Sequence, residues 1–72
     1  MTTIQQDDRP ADEWPKGIGA PAQRTLAAAG YHRLEQLDGV SAKALLKLHG
    51  MGPKAIRVLR EALAARGLAF AD

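Results

Sequence analysis

Apolar positions along the chain recur at helical spacing in short segments, and glycines separate the segments. Pro21 to Ala29 predicts a first helix, stopped by Gly30 in the left-handed conformation. Tyr31, Leu34, Leu37 and Val40 follow at intervals of three, predicting a short second helix near residues 33–38 closed by Gly39. Ser41 is a suitable N-cap for a third helix running to about Leu48, with Ala42, Leu45 and Leu46 inward and Lys43 and Lys47 outward. A fourth helix is expected from Pro53 to about Arg66. Its core face is Ile56, Leu59, Ala62 and Leu63, and Gly67 is its stop. Leu68 and Phe70 are expected to fold back on the bundle as a clasp. No segment alternates apolar and polar residues as a half-buried strand would. Fourteen alanines suit close helix packing. The expected fold is all-α, a compact bundle of four to five short helices.

Residues 1 to about 13 break this pattern. They are polar, charged and without periodicity, which predicts a disordered acidic arm dispensable for folding. The domain is then 14–72. Trp14, the one tryptophan, lies at the boundary and is expected to anchor the incoming chain by packing rather than to stack on a base.

Two glycine turns organise the domain. In Leu48-His49-Gly50-Met51-Gly52-Pro53-Lys54-Ala55-Ile56, two glycines flank one apolar residue between two helical segments. Glycine permits positive φ and close approach by another molecule, and Pro53 fits the first turn of the helix that follows. Backbone N–H groups of such a turn, with the positive end of the helix, form a phosphate site. Sliding the chain by 33 residues lays Gly17-Ile18-Gly19 on Gly50-Met51-Gly52, Ala22 on Ala55, Arg24 on Arg57 and Leu26 on Leu59. This internal repeat predicts two hairpins side by side about an approximate two-fold axis, with the second helix connecting the halves.

Charge sharpens the picture. Residues 1–13 hold four carboxylates against Arg9, a net of −3, whereas residues 14–72 hold nine Lys or Arg against four carboxylates, a net of +5. A basic body behind an acidic lead suggests a polyanionic partner, with a solvated surface of no special meaning as the lesser alternative on charge alone. Lys54, in the first turn of its helix, opposes the macrodipole, as expected where an anion is to be bound. Without cysteine there is neither a disulfide nor a thiolate metal site. No apolar run reaches membrane-spanning length and no signal-peptide core opens the chain, so a cytoplasmic protein without membrane association is expected.

Other chemistries fit poorly. Gly17-x-Gly19-x-x-Ala22 and Gly50-x-Gly52-x-x-Ala55 match a dinucleotide fingerprint, but that motif requires a preceding strand and a longer domain. His32 and His49 stand 17 residues apart with no carboxylate cluster nearby, so surface or phosphate-contacting roles outweigh metal ligation. The carboxylates are scattered singly and no Ser/His/Asp arrangement exists; an enzyme is not expected. Met51 is more readily a core residue than a groove contact. A purely structural helix corner remains the alternative to a binding turn.

The stretch from Leu48 to Ile56 resembles a helix-hairpin-helix motif, an apolar-Gly-apolar-Gly turn between helices. The span from about Ile18 to Phe70 is also similar to the C-terminal domain of the bacterial RNA polymerase alpha subunit. The shared features are Leu26…Gly30-Tyr31, Leu34…Leu37, Leu45-Leu46-Lys47, Gly52-x-Lys54 and Leu63-Ala64-Ala65-Arg66-Gly67-Leu68. The resemblance implies a tandem helix-hairpin-helix domain that grips double-stranded DNA across the minor groove through backbone phosphates, with Gly52 and Lys54 carried over from the motif. Where the polymerase domain has an arginine entering the groove, this chain has Pro21, and Arg24 lies one turn on. Together with the absence of Asn and with Gln23 as the only Gln of the first helix, this implies little sequence discrimination. The expected DNA-binding residues are Lys16, Gly17, Gly19, Arg24, Lys47, Gly50, Gly52, Lys54 and Arg57. No cofactor is expected beyond a monovalent cation that a hairpin could hold, and the protein is expected to be a monomer. A protein-interaction module, an adaptor touching RNA polymerase or other transcription machinery, is the competing expectation.

Overall fold

A computed structural model describes residues 14–72, so the expected acidic arm at 1–13 lies outside the described residues. They form an all-α fold of helix α1 (Ala20–Ala28), a 3₁₀ turn (Leu34–Leu37), helix α2 (Ala42–Leu46) and helix α3 (Pro53–Ala65). This corrects the expectation of four to five helices, because there are three α-helices and the second expected helix is a single 3₁₀ turn. Apolar spacing of strictly three is the repeat of a 3₁₀ helix, whose i and i+3 side chains eclipse. Leu34 and Leu37 are accordingly both buried. Gln36 accepts through Oε1 from the N–H groups of His32 (2.6 Å) and Arg33 (2.9 Å), satisfying the donors that enter the turn.

Helices α1 and α3 close alike. In α1 the Tyr31 N–H donates to Leu26 O (2.8 Å) and the Gly30 N–H to Ala27 O (3.0 Å). In α3 the Leu68 N–H donates to Leu63 O (2.8 Å) and the Gly67 N–H to Ala64 O (3.0 Å). Both are Schellman caps, with Gly30 (φ 95°) and Gly67 (φ 75°) in the left-handed position that the motif reserves for glycine. The caps correspond at an offset of 37 residues, whereas the helix starts correspond at 33, so α3 carries one extra turn.

One core joins these elements. Ile18, Ala22 and Leu26 come from the first hairpin and α1; Leu34 and Leu37 from the 3₁₀ turn; Ala42 and Leu45 from α2; and Met51, Ala55, Ile56, Leu59 and Leu63 from the second hairpin and α3. Leu26, Leu37, Leu59 and Leu63 are its fully buried large side chains. Trp14 packs half-buried against this core, as the boundary tryptophan was expected to. Phe70 is buried too, with Leu68 partly so. Burial of these side chains at ~25 cal/mol per Å² of apolar surface is the main force that closes the domain.

The tail after α3 is held by polar contacts as well. Ala71 N–H donates to Val40 O and Gly39 N–H to Ala69 O, both at 2.8 Å, while Asp38 Oδ1 accepts from the Ala69 N–H at 3.1 Å. Asp72 reaches the start of α2, accepting from Ser41 Oγ (2.8 Å) and from the Ala42 N–H (2.6 Å). Ser41 itself caps α2 by accepting from the Ala44 N–H at 3.1 Å. Arg60 stacks 5.3 Å from the Phe70 ring centroid and donates to the Asp72 carbonyl at 3.2 Å.

The Ser41 hydroxyl, then the backbone N–H groups of Ala42 and Lys43, hold the Asp72 carboxyl below its ordinary value of 3.8. A depressed carboxyl contributes stability above its unfolded pKa and loses it as pH falls through the folded value. Asp72→Asn is therefore expected to lower the melting temperature at pH 7. The gap should begin to close as pH falls below 3.8 and vanish only below the lower folded value, as thermal unfolding followed by circular dichroism across pH would show. A gap that persists in acid would assign the effect to packing instead.

Candidate nucleic-acid interface

Each hairpin leads into a helix with no side-chain cap and no acidic residue in its first turn. Gly19 and Gly52 are the N-cap residues, followed by Pro21 in α1 and Pro53 in α3. Most helices satisfy their leading N–H groups with Ser, Thr, Asp or Asn and attract carboxylates to the first turn. Here those positions hold glycine, alanine, proline and, in α3, Lys54. Among the described residues no side chain caps either helix start.

The apolar residue of each hairpin is a core residue: Ile18 and Met51 are both buried. The first glycines share a conformation, Gly17 at φ 105° and Gly50 at φ 91°. The second glycines do not, since Gly19 has φ 88° and Gly52 has φ −124°. The expectation that glycine serves positive φ at both flanks holds for three of the four positions and fails at Gly52. That residue is extended, and a Cβ added to it meets no atom within 4 Å. Nothing inside the fold requires glycine there.

The hairpins pack on each other's helices. A Cβ on Gly17 would lie 3.6 Å from Val58 Cγ2 of α3, and one on Gly50 would lie 2.5 Å from Thr25 Oγ1 of α1. Gly17 and Gly50 are 33 residues apart, as are Thr25 and Val58. The first hairpin thus meets α3 at the position equivalent to the one where the second hairpin meets α1. The second contact is the tighter one. Thr25 Oγ1 donates to the His49 carbonyl, and Pro21 O would be 3.2 Å from the added Cβ.

This crossed packing places the cations differently from the sequence order. Arg24, grouped by sequence with the first hairpin, lines a groove with Pro21, Thr25, Ala28, His49 and Gly50. It therefore stands beside the second hairpin. Lys16 immediately precedes Gly17 in the first turn, Lys47 is the C-cap of α2 leading to the second, and Lys54 and Arg57 share a face one turn apart on α3. All five are exposed.

Three of the four carboxylates among the described residues, all but Glu61, are engaged elsewhere. Glu35 pairs with Arg66 (3.6 Å), the one ion pair among the described residues, while Asp38 and Asp72 bind the tail and the start of α2. Among the described residues no group of three or more His, Cys, Asp or Glu could hold a metal ion. No described helix is long and apolar enough to cross a membrane. His49 is the one titratable residue of the groove absent from the expected DNA-binding set. Its place next to Gly50 was visible in sequence, but its association with Arg24 depends on the crossed packing.

No protein-family model matches the chain, and neither a curated protein nor a solved structure matches it.

Proposed function

We propose that this chain is a small duplex-DNA-binding module, arranged as a tandem helix-hairpin-helix domain like that of the RNA polymerase alpha subunit it resembles. It takes backbone phosphates on two glycine hairpins with little regard to sequence. The reciprocal contact of Gly17 with Val58 and Gly50 with Thr25 carries the reading, because it relates two uncapped helix starts as equivalent halves. Such a pair suits a ligand that repeats the same anionic group, and a nucleic-acid backbone does so. Each hairpin would offer N–H groups to one phosphate, with Lys16, Arg24, Lys47, Lys54 and Arg57 neutralising it and its neighbours.

Five neutralised phosphates at about 0.9 counterions each give a log–log salt slope near −4 to −5 for binding to random-sequence duplex. Fluorescence anisotropy from 50 to 300 mM salt measures it. A slope near zero, or no binding at the lowest salt, would favour the second reading, a protein-interaction module. Leu46 favours that reading, as the large hydrophobic residue among those described that is 40% exposed.

A further inference from the structure

Resting on the DNA-binding reading, we infer that His49 is a phosphate-contacting residue of the second hairpin and makes duplex binding proton-linked: it binds a backbone phosphodiester as the imidazolium, beside Arg24. The groove between α1 and the second hairpin carries the inference. Arg24 and His49 line it together with Gly50, so an anion entering beside Gly50 meets both. His49 is not placed there by chance of a mobile loop. Its carbonyl accepts from Thr25 Oγ1, and the Met51 N–H that follows the turn donates to Leu48 O at 3.2 Å, so the backbone on either side of the turn is tied down.

The charged groups nearest this hairpin on the elements around it are cationic. They are Arg24 on α1, Lys47 at the end of α2, and Lys54 with Arg57 on α3. None of these three helices presents a carboxylate within its first two turns; Glu61 lies further along α3. Among the described residues no carboxylate lines this groove. A phosphate in the groove supplies the missing negative charge and favours the imidazolium. Histidine is the side chain whose ordinary titration range spans pH 5 to 8, so the change falls within reach of a binding experiment. A phosphodiester stays singly charged throughout that range, so the ligand contributes no titration of its own.

The consequence has two independent readouts. Binding takes up protons, so affinity for a random-sequence duplex rises by about three- to tenfold from pH 8.0 to pH 5.5. The imidazolium also displaces a further counterion, so the salt slope is steeper at pH 5.5 than at pH 8.0 by up to about 0.9. A structural histidine with no ligand contact would move neither.

The test measures duplex affinity at pH 5.5, 6.5, 7.2 and 8.0, each across a salt series, for wild type, His49→Gln, His49→Arg and His32→Gln. Wild type and His32→Gln should show both effects. His49→Gln should be flat in pH and bind like the wild type at pH 8.0. His49→Arg should be flat and bind like the wild type at pH 5.5, which separates loss of charge from loss of fold. Wild-type binding with no pH dependence, or pH dependence that survives in His49→Gln, overturns the role of His49 and leaves the DNA-binding reading standing. Absence of duplex binding at every pH overturns both.

Discussion

Gly50→Ala is expected to destabilise the domain by about 3 kcal/mol, more than any other single change at the hairpins. Two costs combine. An alanine held at φ 91° occupies a region that residues with a Cβ avoid, at about 1–3 kcal/mol. The new methyl would also lie 2.5 Å from Thr25 Oγ1 and 3.2 Å from Pro21 O. The hydroxyl can turn away only by giving up its bond to the His49 carbonyl, and the Pro21 oxygen belongs to the backbone of α1. Overpacking of this kind costs about 1–3 kcal/mol. For so small a domain the combined loss corresponds to a drop of roughly 15 °C in melting temperature. The Thr25→Ala background divides the two costs. There the hydroxyl clash is gone and only the φ strain and the Pro21 contact remain, so Gly50→Ala should cost less than in the wild type. Full additivity of the two substitutions would show that Thr25 and Gly50 do not press on each other.

Much of the fold was legible because its punctuation is local. Gly30 and Gly67 mark their helix ends through a cap that needs only six consecutive residues, and Ser41 marks a start in a similarly local way. The 3₁₀ turn at Leu34–Leu37 differs from the expected helix because an apolar spacing of strictly three is the 3₁₀ repeat rather than the α-helical one. The tail was half legible. Phe70 announced burial by being apolar, but nothing in its neighbourhood announces that Asp72 reaches the start of α2, because Ser41 and Asp72 are 31 residues apart. The same limit applies at the hairpins. The 33-residue repeat was visible as a pattern of types, whereas the exchange that sets Arg24 beside Gly50 is a property of packing. Nor does a sequence distinguish a glycine needed for φ from one needed for access; Gly50 and Gly52 look alike as letters and differ in every contact.

That difference makes Gly52 and Lys54 the positions at which binding and stability should part. Under the proposed function Lys54→Glu is expected to weaken duplex binding by at least tenfold at 100 mM salt. It removes one phosphate contact and sets a like charge where the phosphate would lie. The same substitution should leave the domain as stable as before or more so by about 0.3–1 kcal/mol, because a carboxylate in the first turn of α3 complements the macrodipole that Lys54 opposes. Gly52→Ala tests the backbone rather than the charge. At φ −124° alanine is unstrained and its methyl meets no atom within 4 Å, so the folded state accepts it. The poorer N-cap costs some tenths of a kcal/mol, and the loss of glycine's freedom in the unfolded chain returns a similar amount. Stability should change by less than about 0.5 kcal/mol. Affinity should nonetheless fall several-fold, since the methyl stands in the space through which a phosphate oxygen would approach the N–H groups leading α3. Anisotropy titrations paired with thermal melts of the two variants decide it. Variants that fold as well as wild type and bind duplex as tightly would mean that the glycines and the lysine serve no phosphate, and the hairpins would then be corners of the fold and nothing more.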